Sequence, residues 1–536
     1  MQFISVPKLV DLLKSDIEFA LLDVRERNPY SKGHVLLSTC VPLGQLEMVI
    51  GDLVPRLATR IVLIGEGPSD QYQLAERAWE RLKELGYTDV AILTGGLSAC
   101  REAGFEFFSG NGSYSKAFGE WVAVEYNTPF VTAEDEHERL NRGEKQVILD
   151  SRPKNEYHRM TIPGSISAPG AELAYRVHDV TPDEKAQVIV NCAGRTRSII
   201  GAQSLVNAGI PNPVAALKNG TMGWQLAGFS LEYGQTRAAS PPTPKGLAKA
   251  KQCAERVAKR FGVRKVNAAT LKKWMEEGEK RTTYVFDVRL PEEYAEGHFE
   301  GSRNAQGGQL VQATDEYVSV FNARMVLLDD TEVRAIMTAS WMIQMGWEDV
   351  YVLENGISGL PQTQAPYKPH VLGLEPQGAV TARELGDMLA GAGSGIAVLD
   401  VASSAYHKQN HIPGAWWGIR SRLPVDVSKL PEVQTLVVTS EDGVLAHLAA
   451  RDLKKSGFRA NVLVLQGGTA GWTAVGGATV NGMEQAISEE DDAWYMPYMH
   501  PDALDHLKRE YFEWEYGLVG QVKRDGTARF RKFPVA

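Results

Sequence analysis

The sequence predicts an α/β protein made of four tandem domains, each a small parallel β-sheet with helices on both faces. Two observations predict this architecture. One unit recurs four times along the 536-residue chain, at intervals the size of a domain rather than of a solenoid turn. Within each unit, short and almost wholly apolar runs alternate with helical stretches, which is the pattern of a parallel sheet buried on both faces.

The elements follow the same order in every unit. An amphipathic helix comes first, with Thr132 and Thr381 as predicted N-caps in two of the copies. The first apolar runs end at Asp23, Asp150, Asp287 and Asp400. The second runs occupy 61–64, 188–191, 325–328 and 436–439, and the helical stretches after them end at Gly86, Gly209, Gly346 and Gly457. A third run ending in glycine completes the unit.

Composition and charge exclude several classes of protein. Hydrophobic residues make up 43% and charged residues 23%, so a disordered or collagen-like chain is excluded. The net charge of −9 gives no indication of a nucleic-acid or membrane partner. Four scattered cysteines predict free thiols rather than disulfides, and the first twenty residues fit no secretory signal. We therefore expect a cytoplasmic protein.

The most informative segment follows the second apolar run of repeat two, because ligands of parallel sheets bind beyond the carboxyl ends of strands. Residues 192–198, here the cysteine loop, read Cys-Ala-Gly-Arg-Thr-Arg-Ser and lead into a helix. A thiol at a helix N-terminus beside Arg195 and Arg197 is expected to have a lowered pKa and to react as thiolate. The alternative is a buried structural cysteine.

The other three repeats serve as internal controls. The position of Cys192 is taken by Gly65, Asp329 and Ser440, and all three loops carry acidic residues that would repel an anion. One repeat is therefore predicted to be active and three inactive.

These features together resemble the rhodanese (thiosulfate sulfurtransferase) family: an apolar strand ending in Asp-Val-Arg, an E-Y-x-x-G-H-x-x-G-[S/A] stretch, a loop beginning with cysteine and a G-x-x-x-W close. The resemblance extends to about Val480. It implies that Cys192 accepts a sulfane sulfur as a persulfide and passes it to cyanide or a thiol. The residues implied to cradle the persulfide and the donor anion are Ala193, Gly194, Arg195, Thr196, Arg197 and Ser198.

The resemblance also implies a domain arrangement. Two-domain rhodaneses pair an inactive first domain with an active second one, so the site is expected in a cleft between repeats one and two. A fragment of about residues 1–235 would then suffice for sulfur loading. Repeat two departs from the family pattern, with Met160-Thr161 where the other repeats have Gly-His or Asn-His, and with Gly194 third in the loop, where many relatives have glycine fourth.

The predicted boundaries follow from these units. They are an inactive domain at 1–126, the catalytic domain at 127–235, a linker with a basic helix at 236–265, inactive domains at 266–370 and 371–480, and an aromatic, acidic tail at 481–536 that packs on the body. The two later domains are expected to be structural or to bind a protein partner.

Several functions stay open. The predicted partners are thiosulfate, as small-molecule donor, and a thiophilic acceptor, with no metal and no cofactor. Thiosulfate is favoured because a compact dianion suits Arg195 and Arg197. A 3-mercaptopyruvate sulfurtransferase is the alternative. A dual-specificity-type phosphatase is disfavoured because Ser198 stands where a Cys-x5-Arg motif has its arginine; a non-catalytic binding scaffold is also considered.

Other residues are predicted to be structural. Cys40, Cys100 and Cys253 lack a Gly/Arg loop. The recurring histidines His34, His298 and His411 and the recurring pair Asp150 and Arg152 are expected to stabilise the fold, not to hold a metal.

Overall fold

The computed structural model describes residues 1–391, 395–499 and 503–534. It confirms the α/β class: the described residues form four main sheets flanked by helices and one further two-stranded sheet, His298–Phe299 with Gln362–Thr363. Within this described part of the chain, no helix is long and apolar enough to cross a membrane.

Repeat one contains the first of these sheets. Its strands are Phe3–Ile4, Phe19–Asp23, Thr39–Cys40, Arg60–Ile64 and Val90–Leu93. Its helices are Val6–Leu13, Arg27–Lys32, Leu46–Leu53, Leu74–Glu84 and Gly96–Glu102. A further helix, Ser113–Glu125, follows before repeat two and is here named the connecting helix.

Repeat two has a five-stranded sheet whose neighbouring strands all run parallel. In spatial order the strands are Phe130–Val131, Val214–Leu217, Gln187–Asn191, Gln146–Asp150 and Ile166–Ser167. Its helices are Ala133–Asn141, Lys154–Arg159, Glu172–Val180, Thr196–Ala208 and Gly220–Leu226. The N-cap prediction is confirmed here, since Thr132 accepts the Asp135 N–H at 3.1 Å.

Repeat three follows the linker helix Pro244–Phe261, and its sheet has the same spatial order of strands as the sheet of repeat two. Its parallel sheet consists of Arg264–Val266, Val350–Leu353, Arg324–Leu328, Thr283–Asp287 and Arg303–Asn304. Further strands are His298–Phe299, Val320–Phe321 and Gln362–Thr363, and the helices are Ala268–Glu276, Pro291–Glu296, Gly307–Gln312 and Val333–Gln344.

Repeat four has the same parallel order of strands. The strands are Ala379–Val380, Asn461–Leu465, Thr435–Thr439, Ile396–Asp400 and Trp416–Trp417. The helices are Ala382–Gly391, Ser404–Gln409, Leu423–Asp426, Val444–Lys455 and Gly468–Ala474. Thr381 caps the first of them by accepting the Glu384 N–H at 3.2 Å, as predicted.

The repeats associate differently from the expected pairing. One compact unit comprises residues 1–11, 20–111 and 369–494, which contain most of repeat one and repeat four. The other comprises residues 12–19 of repeat one together with 112–368 and 495–536, which contain repeats two and three. The prediction that repeat two pairs with repeat one is therefore wrong. The connecting helix, which the predicted boundary at 126 places with the first domain, belongs to the unit of repeats two and three.

The C-terminal tail is divided between the two units. Residues up to 494 continue repeat four, where Ala486 bridges to Trp417. The helix Asp505–Asp525, here the tail helix, packs on the connecting helix and buries Tyr511, Phe512 and Leu518. Residues 500–502 and 535–536 of the tail lie outside the described part.

The recurring polar residues stabilise the fold, as predicted. Arg152 donates to both oxygens of Asp150 inside the core, and Arg289 does the same to Asp287. The ring nitrogen Nδ1 of His298 lies 2.8 Å from the Tyr294 carbonyl oxygen, where the ring stacks on that tyrosine.

Candidate active site

Cys192 lies between the end of the central strand Gln187–Asn191 and the N-terminus of the 13-residue helix Thr196–Ala208. This is the predicted position, where free N–H groups and the helix dipole favour an anion. Every residue of the cysteine loop is buried, and Cys192 itself is 2% exposed. Its thiol Sγ lies 3.4 Å from the Ser198 hydroxyl, which donates in turn to the Arg195 carbonyl oxygen.

A second loop supports the cysteine loop from behind. The Thr221 N–H donates to the Cys192 carbonyl at 2.9 Å, and the Met222 N–H donates to the Ala193 carbonyl at 3.1 Å. Gly220 has a φ of +54°, and a Cβ atom there would collide with the Cys192 carbonyl oxygen. Only glycine fits at this position, because the two loops approach each other backbone to backbone.

The expected lowering of the thiol pKa is not found. Burial raises the pKa of Cys192 above its ordinary value, and the nearby Glu515 carboxyl adds to the rise. Arg197 and the hydrogen bonds from Ser198 oppose it. The sequence indicates Arg197 and the helix N-terminus, which favour the thiolate, but it does not show that the thiol is buried. Burial has the larger effect on the pKa of Cys192.

Both loop arginines are engaged in ion pairs. Arg195 donates through Nε and Nη2 to the two oxygens of Glu120 on the connecting helix, at 2.6 and 2.8 Å. Arg197 donates to the two oxygens of Glu156 at 2.7 and 2.9 Å. Such two-pronged contacts fix a guanidinium in place and compensate its charge. The loop therefore carries less free positive charge than the sequence alone suggests.

Repeat three and the tail helix complete the surroundings of the loop. Gln309 Oε1 lies 3.5 Å from Arg197 Nη1. The Tyr516 hydroxyl accepts from Arg195 at 3.1 Å, and the guanidinium lies 4.3 Å from that ring. The described contacts of the loop side chains thus come from the unit of repeats two and three.

The partners of the loop are not evident from the sequence of the loop itself, although one of them has a recognisable sequence signal. Glu156 in repeat two and Glu293 in repeat three each stand directly before a tyrosine. Each also pairs with the arginine five positions after the first residue of the loop in the same repeat, which is Arg197 for Glu156 and Arg334 for Glu293. Repeats one and four have neither member of the pair. Glu120 and Glu515 lie outside the repeated units, so repetition could not reveal them.

The matching loop of repeat three, residues 329–335, is here the aspartate loop. The Asp329 carboxylate is buried and accepts the N–H groups of Thr331 at 3.1 Å and Arg334 at 2.9 Å, as well as that of Glu332. Burial raises the pKa of Asp329 to about 6. In repeat four the Ser440 hydroxyl accepts the Gly443 N–H at 3.1 Å in the same way.

The remaining cysteines lie elsewhere in the fold. Cys40 ends an edge strand, Cys100 lies in the helix Gly96–Glu102, and Cys253 lies on the linker helix near His178. Burial raises the pKa of all three thiols. None of them begins a strand-to-helix loop.

Comparison with known proteins agrees with the repeats. A family model of the rhodanese-like domain matches residues 5–103, 132–227, 267–361 and 381–475. The chain belongs to the rhodanese-like domain family. Its four family domains coincide with the four repeats, and the connecting, linker and tail helices lie outside the matched ranges.

Individual relatives differ in how much of the chain they cover. The crystal structure of thiosulfate sulfurtransferase from Pseudomonas aeruginosa is 43% identical, covers 100% of both chains and superposes with a TM-score of 0.96. The Alr3790 protein from Anabaena is 27% identical over 19% of this chain and 83% of its own, with a TM-score of 0.18. An HTH-type transcriptional regulator from Mycobacterium tuberculosis is 31% identical over 88 residues; the match spans 16% of this chain and 38% of the regulator.

Proposed function

We propose that the protein is a sulfurtransferase that moves a sulfane sulfur from thiosulfate to a thiophilic acceptor through a persulfide on Cys192. The observation that carries the proposal is the position of Cys192, the only one of the four cysteines that begins a strand-to-helix loop. The full-length similarity to a thiosulfate sulfurtransferase supports it.

The loading step starts from the thiolate. Cys192 Sγ attacks the outer sulfur of thiosulfate, the sulfur–sulfur bond of the donor breaks, and sulfite leaves with its electron pair. The new terminal sulfur carries the negative charge. We expect the loop N–H groups and the helix N-terminus to stabilise that charge, because the matching loop of repeat three donates its N–H groups to the Asp329 carboxylate.

The transfer step regenerates the cysteine. Cyanide or an acceptor thiolate attacks the terminal sulfur, and the bond between that sulfur and Cys192 Sγ breaks. The electron pair returns to Cys192 as thiolate. Ser198, 3.4 Å from Sγ, is placed to hydrogen-bond the sulfur in this state.

The choice of donor is not based on free arginine charge, because Arg195 and Arg197 are both paired with glutamates. We base thiosulfate on the full-length relative, and 3-mercaptopyruvate remains the second candidate. Steady-state turnover on the two donors with cyanide as acceptor tests the choice. A higher kcat/KM for thiosulfate is expected, and a higher value for mercaptopyruvate would overturn the assignment.

A further inference from the structure

The tail helix places a buried carboxyl group on the cysteine loop. Glu515 is 1% exposed. Its Oε1 accepts from the Tyr511 hydroxyl at 3.0 Å and lies 3.5 Å from the Thr196 hydroxyl. Its Oε2 is buried and has no hydrogen-bond partner among the described residues.

The unpartnered oxygen faces the loop backbone. A Cβ atom added at Gly194 would lie 3.6 Å from Glu515 Oε2 and 3.4 Å from the Tyr511 ring. Buried polar atoms are nearly always hydrogen-bonded, so an exception next to a reactive loop calls for a functional explanation. Neither the family domains nor the proposed reaction assigns this residue a role.

Charged groups surround Glu515 from each element packed against it. Lys116 and Glu120 face it from the connecting helix, Arg195 and the Cys192 thiol from the loop, and Tyr511 from its own helix.

These groups do not compensate a Glu515 charge fully. Arg195 already pairs with Glu120. Burial lowers the pKa of Lys116, and that lysine also feels the carboxylates of Asp315 and Glu316 on repeat three. Burial, together with the charge of Glu120, raises the pKa of Glu515 to about 8.

We propose that Glu515 controls the charge at the cysteine loop, and through it the ionisation of Cys192 and the approach of anionic reagents. The inference rests on the proposed function only in taking Cys192 as the reacting group. Glu515 is a positioning residue, because it acts through the thiol and not on the transferred sulfur.

The sign of the effect follows from the charges. Below about pH 8 the carboxyl is neutral, and both a Cys192 thiolate and an incoming anion are tolerated. Above that pH the carboxylate is negative and opposes both. Raising the pH therefore has two opposed consequences for an anionic donor: more thiolate is formed, but the donor is repelled.

Alkylation of Cys192 with two reagents separates these consequences. Neutral iodoacetamide and anionic iodoacetate require the same thiolate, so the ratio of their rates is independent of the thiolate fraction and reports the local charge. The rates are measured on the full chain from about pH 6.5 to about pH 9.5, with modification of Cys192 quantified by peptide mass.

In the wild type, the ratio of iodoacetate to iodoacetamide rates should fall about three- to tenfold as the pH passes 8, as expected for one added charge near the sulfur. In Glu515→Gln the ratio should stay high and constant. Glu513→Gln is the matched control, because Glu513 lies on the same helix but is exposed. Its ratio should follow the wild type.

A constant ratio in the wild type, or an unchanged fall in Glu515→Gln, would overturn the proposal. If circular dichroism shows that Glu515→Gln does not fold, the pH dependence of the rate ratio in the wild type decides whether the proposal holds. Sulfur loading by thiosulfate is measured separately. Its failure would contradict the proposed function and leave the result for Glu515 standing.

Discussion

The cysteine loop of repeat two and the aspartate loop of repeat three occupy the same place in their domains but hold different groups. Both follow the second core strand and lead into a helix of 12 or 13 residues. Both also contain an arginine paired with a glutamate. In repeat three the loop begins with the Asp329 carboxylate, which accepts backbone N–H groups of its own loop. In repeat two it begins with the Cys192 thiol, which lies 3.4 Å from the Ser198 hydroxyl.

This difference shows that the same loop of the fold can hold a carboxylate as well as a thiol. Asp329 supplies the anion from within the protein. Cys192 carries a negative charge only when its thiol is ionised. The side chain at the head of the loop therefore decides whether the loop holds a fixed carboxylate or an ionisable thiol.

The largest effect is expected when the two loops are made alike. Cys192→Asp should abolish sulfur loading and turnover completely, while the new carboxylate accepts hydrogen bonds from the loop N–H groups as Asp329 does in repeat three. The Tm should change by no more than about 5 °C in a thermal melt. Cys192→Ser serves as the inactive control of similar size. A Cys192→Asp chain that does not fold would show that the two loops are not equivalent.

Truncation tests the revised pairing of the repeats. A fragment of residues 1–235 lacks Gln309 of repeat three and Glu515 and Tyr516 of the tail helix, all of which contact the cysteine loop. We expect this fragment to load little or no sulfur in an intact-mass assay, with circular dichroism as the control for folding. If the fragment loaded as much sulfur as the full chain, the result would support the original prediction that repeats one and two form the site.

Arg197→Ala should have the next largest effect. It removes the charge that lowers the pKa of Cys192 and leaves Glu156 without its partner. Because a charge-assisted contact contributes about 1.5–3 kcal/mol, kcat/KM should fall about ten- to hundredfold. Iodoacetamide should also react more slowly with Cys192 at neutral pH. Unchanged kinetics would leave the backbone N–H groups as the sole anion site.

The smallest effect is expected from a substitution of Glu156, the glutamate that pairs with Arg197. Glu156→Gln leaves the charge of Arg197 less compensated, so the pKa of Cys192 should fall and iodoacetamide should react about two- to fivefold faster at neutral pH. Glu293→Gln makes the same change beside the aspartate loop and is the matched control. Equal rates in the two variants would contradict a local electrostatic effect.

The sequence predicted the features that recur and missed those that do not. The strand ends at Asp150 and Asp287, the caps at Thr132 and Thr381 and the start of the loop at Cys192 follow from four aligned copies. Repetition carries no information on which copies pack together, since that depends on exposed faces that differ between repeats. The pairing was therefore predicted wrongly.

The pKa of the thiol was predicted wrongly for a related reason. The cover of the cysteine loop comes from the connecting helix and the tail helix, which lie outside the repeats and bring Glu120 and Glu515 to the site. The desolvation that raises the pKa of Cys192 depends on this tertiary cover. The sequence of the loop alone contains only the groups that lower the pKa.

The location of the transferred sulfur tests the central claim most directly. The full chain is incubated with thiosulfate without acceptor, and its intact mass and peptides are then measured. We expect one added sulfur atom, carried on Cys192 and removed by cyanide, and no added sulfur in Cys192→Ser. Sulfur on Cys40, Cys100 or Cys253, or none on the wild type, would contradict the assignment of the cysteine loop as the active site.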